Sequence, residues 1–112
     1  MNQEFIDNLT IEIRRGTLIL AVLSQLKQTE YGYSLLKRLE KNNVEIEANT
    51  LYPLLRRLES QGILDSSWDT NEARPRKYYV LSDAGREAFN EMIVLWTNIS
   101  KHISHLLEDQ NG

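Results

Sequence analysis

His102 and His105, three residues apart, with Asp109 one turn further on, are the nearest approach to a metal-ligand set in this chain. Spacing of i, i+3 and i+7 brings three donors to one side of a helix, and imidazole with carboxylate suits zinc. The third ligand falls on a frayed helix end, and the chain has no other histidine and no cysteine. An exposed polar helix face is the simpler reading, and no metal or other cofactor is expected. Enzymatic chemistry fares no better. There is no thiol nucleophile and no glycine-rich phosphate loop, and neither histidine falls in an evident serine or carboxylate constellation. Ser34, Ser60 and Ser82 read as capping or solvent residues. The chain reads as a non-enzyme.

A different chemistry lies in its cations and amides. Asn49, Tyr52, Pro53, Arg56 and Ser60, with Arg57 on the flank, share the polar side of one short segment, and Asn49, Thr50, Tyr52 and Arg56 lie near its N-terminal half. Arginine pairs bidentately with guanine and asparagine with adenine, while threonine and tyrosine usually meet phosphate. Further on, Arg74, Arg76 and Lys77 put three positive charges into four positions. Pro75 among them limits the backbone and lowers the entropy cost of holding them. For each group a bland reading competes: a solvated helix face for the first, a charge-protected edge strand for the second. Lys37, Arg38 and Lys41 read equally well as phosphate contacts or as solvated residues.

Total charge by itself opposes a nucleic-acid partner. Thirteen basic residues against sixteen acidic ones leave −3 over 112 residues, which excludes a polycation that coats nucleic acid indiscriminately. Regional counts say more. Residues 1–13 carry three acids and no base, residues 14–77 eleven bases against eight acids, and residues 78–112 two bases against five acids. A modestly basic middle therefore lies between acidic ends, and local charge is what a duplex meets. Residues 1–13 lack the basic start of a signal or transit peptide. The longest apolar run, Leu18 to Leu23, is far too short to span a bilayer. A cytoplasmic protein without a membrane partner is expected.

The elements that would hold these residues follow from periodicity. Residues 4–28 read as a helix whose Leu18, Ile19, Val22, Leu23 and Leu26 share a face, with Phe5, Ile6, Leu9 and Ile13 extending the pattern upstream. A second helix is predicted over 31–42, capped by Thr29, with Leu35, Leu36 and Leu39 inward and Asn42-Asn43 as its end. The third runs over 50–61, with Leu51, Leu54, Leu55 and Leu58 on its core side, Pro53 in its first turn and Gly62 as its stop. Residues 63–68 and 77–81 then form a two-stranded hairpin around the polar loop 69–76. Tyr79 and Leu81 fall on one face of it, and Tyr78 and Val80 on the other.

Ser82 caps a final helix over 83–108. Phe89, Met92, Trp96, Ile99, Ile103 and Leu106 recur on it at alternating intervals of three and four, an a/d stripe of nearly three heptads. At 1.5 Å per residue such a helix is about 39 Å long, more than the small preceding unit can cover. A second copy of the chain is the natural cover, with these six residues as the interface. The fold class is therefore mainly α with a small β-hairpin: a winged helix-turn-helix unit over 1–81 and a dimerisation helix over 82–112. In such a unit the third helix enters the major groove and the hairpin reaches the adjacent backbone.

The run Thr50-Leu-Tyr-Pro-Leu-Leu-Arg-Arg-Leu-Glu59, followed by Gln61-Gly-Ile-Leu64, resembles the signature of the PadR family of transcriptional regulators. Arg15-Gly-Thr-Leu18, Tyr31-Gly-Tyr33, and Arg74-Pro-Arg-Lys-Tyr-Tyr79 through Leu81-Ser82 resemble further family blocks in the same order. Asn49 stands where members usually carry a smaller residue, and Val80 where a basic residue is common, so no operator sequence carries over. The resemblance implies a homodimer, usually a repressor, of the short class with a single C-terminal helix. Some members of that class bind flat aromatic drugs between subunits, against a tryptophan on the last helix. Trp96 occupies the matching place, and Phe5, Leu9, Phe89, Met92 and Ile99 would be its surroundings; a plain seam residue is the competing reading of Trp96. The expected function is sequence-specific regulation through a palindromic duplex operator, with release by a small aromatic effector. A winged-helix adaptor or antirepressor that binds protein instead of DNA is the alternative.

Overall fold

A computed structural model of the chain describes residues 2–71 and 73–109. Residues 110–112, the end of the expected dimerisation unit, lie outside the described residues. The element order is α1 (Gln3–Ser24), β1 (Glu30–Tyr31), α2 (Gly32–Lys41), α3 (Ala48–Ser60), β2 (Leu64–Asp69), β3 (Arg76–Leu81) and α4 (Asp83–Asp109). All four predicted helices and both hairpin strands are present.

The sheet departs from expectation. It has three antiparallel strands in the order β1-β3-β2, because Glu30 and Tyr31 pair with Tyr79 and Tyr78. Two residues are too few to show a period, which is why Tyr31 looked like the start of a helix. That pairing also overturns the Thr29 cap. Tyr31 itself is the N-cap of α2, in extended conformation and with no side-chain cap bond. Each strand also runs one residue further toward the tip than predicted, pairing Asp69 with Arg76.

The core sits where α1–α3, the sheet and the start of α4 meet. Val22, Leu23, Leu26, Leu35, Leu39, Leu51, Leu55 and Leu64 are essentially inaccessible, and Leu58, Tyr79, Leu81 and Phe89 nearly so. Each such burial contributes about 1.5–3 kcal/mol in transfer free energy, so the leucine periodicity of α2 and α3 largely sets how they pack. Helix ends follow local chemistry. Asn43 closes α2 at φ 65°, a left-handed conformation that asparagine tolerates. Gly62 does the same after α3 at φ 81°.

α4 is fixed to this unit at its first turn. The Ser82 hydroxyl accepts from the Gly85 N–H at 2.9 Å and donates toward the carbonyls of Gly62 and Ile63. A β-carbon at Gly85 would lie 2.0 Å from the Ile63 carbonyl oxygen, so only glycine allows this approach. The Arg86 guanidinium donates to the Lys27 carbonyl at 3.0 Å, and the Lys27 ammonium lies over the Phe89 ring. Beyond Met92 α4 is almost wholly exposed, although Ile93, Trp96 and Thr97 still face α1, and α1 is likewise exposed before Leu18.

The a/d stripe is therefore divided. Phe89 is only 5% exposed and Met92 packs against the core, so the first two interface candidates serve their own subunit. Trp96, Ile99, Ile103 and Leu106 stay about half exposed. Val94, Leu95 and Leu107 are equally exposed, so the open apolar surface is wider than a two-position seam.

Candidate nucleic-acid interface

Helical geometry sorts the residues of α3. Leu51, Leu55 and Leu58 turn inward, which forces Asn49, Pro53, Arg56 and Ser60 outward at the opposite pole. Pro53 sits within the helix and leaves it intact. Thr50 and Arg57 turn toward α1, where a cleft of about 810 Å³ is lined by them, by Asn49 and Pro53, and by Arg14 and Leu18 of α1. Asn49, Thr50, Pro53, Arg56 and Arg57 are all exposed, so five of the six candidates on this helix are accessible together.

Tyr52 is different. It turns toward the sheet and is half-buried, close enough to Gly32 that a β-carbon there would lie 2.7 Å from its ring. Burial, then the neighbouring Tyr31, Tyr33 and Tyr79 hydroxyls, push its phenol above the ordinary range. Its ring joins α3 to α2, a packing role the sequence pattern did not reveal.

The wing divides its three cations between two faces. Period 2 and the register place Leu64, Ser66, Trp68, Lys77, Tyr79 and Leu81 on the side facing α3. Lys77 donates to Glu59 of α3 at 2.8 Å and lies over the rings of Tyr79 and Trp68. The Glu59 carboxylate also accepts from the Ser66 hydroxyl. The Lys77 and Ser66 bonds hold Glu59 below the usual carboxylate range, and the Glu59 bond holds Lys77 above the usual lysine range. Arg76 lies on the outer face, its guanidinium stacked 4.8 Å from the centre of the Tyr31 ring. Arg74 and Pro75 are exposed at the tip. The three wing cations differ in their surroundings: Arg74 is exposed, Arg76 is stacked on Tyr31, and Lys77 is tied to α3.

On α2, Lys37 bridges Glu40 at 3.5 Å, whose charge raises the ammonium above its ordinary range, and Arg38 pairs with Glu30. Trp68 belongs to no predicted set, yet it is 62% exposed between wing tip and helix. Its pairing opposite Lys77 across the hairpin was the signal that could have found it.

The ligand candidates are gathered only in part. A crevice of about 370 Å³ between α1 and α4 is lined by Trp96 and Phe89, with Leu20, Ala21, Ile93 and Thr97 among its other walls. Met92, Ile99, Phe5 and Leu9 are not in it, and the last two lie on the exposed arm of α1. Among the described residues no group of three or more histidines and carboxylates is placed to hold a metal, and no helix is long and apolar enough to cross a membrane.

Residues 19–91 match the profile of the transcriptional regulator PadR-like family. The chain belongs to that family. A PadR family transcriptional regulator from Eggerthella lenta has a crystal structure that superposes with a TM-score of 0.88 at 46% identity, covering 95% of both chains. A Mycobacterium tuberculosis transcriptional regulator is 33% identical over 81 residues, 71% of this chain and 76% of its own length. Bacillus subtilis PadR, solved in complex with operator DNA, shares the fold with a TM-score of 0.64 at 20% identity, over 70% of this chain and 46% of its own. The fold is the PadR winged helix with a long C-terminal helix, and the family consists of transcriptional regulators, not enzymes.

Proposed function

We propose that this PadR-family regulator is a sequence-specific DNA-binding protein that acts as a homodimer on a palindromic operator, as a repressor. The outward pole of α3 carries the proposal: Asn49, Pro53, Arg56 and Ser60 are exposed together, beside a wing that the Lys77–Glu59 bond ties to the same helix. The operator complex of Bacillus subtilis PadR supports it at the level of fold. α3 enters the major groove, where Asn49 and Arg56 read base edges while Thr50 and Arg57 meet phosphate. Arg74, Arg76 and Lys77 of the wing meet the flanking backbone. Tyr52 contributes mainly by holding α3 in position.

Residues 1–81 form the reading unit and 82–112 the dimerising one, with Trp96, Ile99, Ile103 and Leu106 facing the second copy. The α1–α4 crevice beneath Trp96 suits a small flat aromatic effector, which would act by altering the angle between the two reading units. DNA regulation implies a cytoplasmic location.

Titration of a duplex against salt tests the reading. Log affinity should fall steeply and linearly with log salt as counterions are released at each phosphate. Arg74→Ala should weaken all duplexes alike and lower the slope, whereas Arg56→Ala should change sequence preference by about 1–3 kcal/mol at one position. Absence of duplex binding at about 50 mM salt would overturn the proposal.

A further inference from the structure

Trp68 is among the most exposed large apolar side chains of the protein, and its place in the fold makes that exposure specific. It lies on the α3-facing side of the wing, in the same row as buried Leu64 and half-buried Ser66, one step nearer the tip. Across the hairpin it pairs with Lys77, whose ammonium lies 5.9 Å from the centre of its ring. Lys77 lies against the indole, and 62% of the residue stays open. The open angle between α3 and the wing therefore holds a flat apolar surface with a cation against it, next to the exposed arginines of α3 and of the wing tip.

A duplex backbone has the complementary surface, since deoxyribose presents an apolar face beside each charged phosphate. We propose that Trp68 and Lys77 form a sugar–phosphate clamp, in which the indole packs on a deoxyribose of the strand flanking α3 and the ammonium meets the adjacent phosphate. The inference rests on the DNA reading above. Lys77 already lies against the ring and opposite α3, so little ordering remains when the backbone arrives. Glu59 competes with phosphate for the same ammonium. Removing its charge frees Lys77 and removes a repulsion, so Glu59→Gln binds DNA more tightly while folding less stably. A purely structural role for the pair predicts losses in both.

The test uses the full chain labelled with 5-fluorotryptophan, whose two resonances come from Trp68 and Trp96. The signal absent from Trp68→Phe is assigned to Trp68. On adding a mixed-sequence duplex of about two helical turns at about 50 mM salt, that signal should shift. Trp68→Ala should lose about fivefold in affinity with an unchanged salt slope, because an indole releases no counterion. Lys77→Ala should lose affinity and lower the slope by about one. Glu59→Gln should gain affinity. A duplex that binds without moving the Trp68 signal, or equal affinity for Trp68→Ala and the parent, overturns the clamp and leaves the DNA reading intact. A duplex that does not bind at all overturns both.

Discussion

At the C-terminal end of α1, Val22 and Leu23 are buried, with Leu18 and Ile19 packed against them; toward its N-terminus Phe5, Leu9, Ile11 and Ile13 lie exposed on the same helix. α4 repeats the contrast in reverse, with Phe89 buried near its start and Trp96, Ile99, Ile103 and Leu106 open beyond it. Residue types on the two sides of each divide are alike. What differs is whether this chain supplies a partner. The compact unit satisfies itself, whereas the arms carry a broad apolar surface of the kind that marks an interface. Burial thus separates the packed half of each of these helices from its open half.

That separation makes predictions of decreasing size. Leu51→Ala opens a cavity in the closed unit and should cost about 2–5 kcal/mol in denaturant unfolding. On the proposed dimer, in which a second chain covers Ile103, the same truncation there should cost little at high protein concentration and make unfolding depend more strongly on concentration. Equal, concentration-independent losses would erase the distinction. Gly85→Ala, which forces a β-carbon against the Ile63 carbonyl, should cost about 1–3 kcal/mol and loosen α4 from α3. Ile99→Glu combined with Ile103→Glu should sediment as a monomer while keeping the helical circular dichroism of the unit. A mutant that stays dimeric would move the interface elsewhere.

The smallest effect concerns pH. Glu59 is held below its ordinary value of 4.5, so its contribution is present above that value and lost as pH falls through the depressed one. Lys77 is held above 10.5, so its contribution is present below that value and lost as pH rises through the raised one. The pair therefore stabilises the wing across the neutral range, by about 0.2–1 kcal/mol as for other partly exposed pairs. The stability gap between the parent and Glu59→Gln should be widest near neutrality and close in acid.

Most of the fold was legible because leucines at helical spacing leave little freedom. The faces of α2 and α3 follow from Leu35, Leu39, Leu51, Leu55 and Leu58, and the outward pole with Asn49 and Arg56 follows from the same wheel. What stayed hidden depended on contacts distant in sequence. β1 is defined by pairing with Tyr78 and Tyr79, not by its own two residues. Arg76 and Lys77 are neighbours in sequence, and strand alternation sends them to opposite faces, one to Tyr31 and one to Glu59. The heptad stripe marked Phe89 and Ile103 alike, since periodicity shows that a face must be covered and is silent on which chain covers it. The packing of Tyr52 stayed hidden for a related reason: its ring fills the space that Gly32 leaves, and neither residue reveals that alone.

The proposed function requires a self-contained reading unit paired by its arms on two-fold symmetric DNA, and selection of bound sequences from a random duplex pool tests that pairing. Two inverted half-sites about one helical turn apart, or a multiple of it, should be enriched, and the paired pattern should be lost when Ile99 and Ile103 are replaced by glutamate. A pool that stays unenriched, or that yields single half-sites with the unmodified protein, would contradict it.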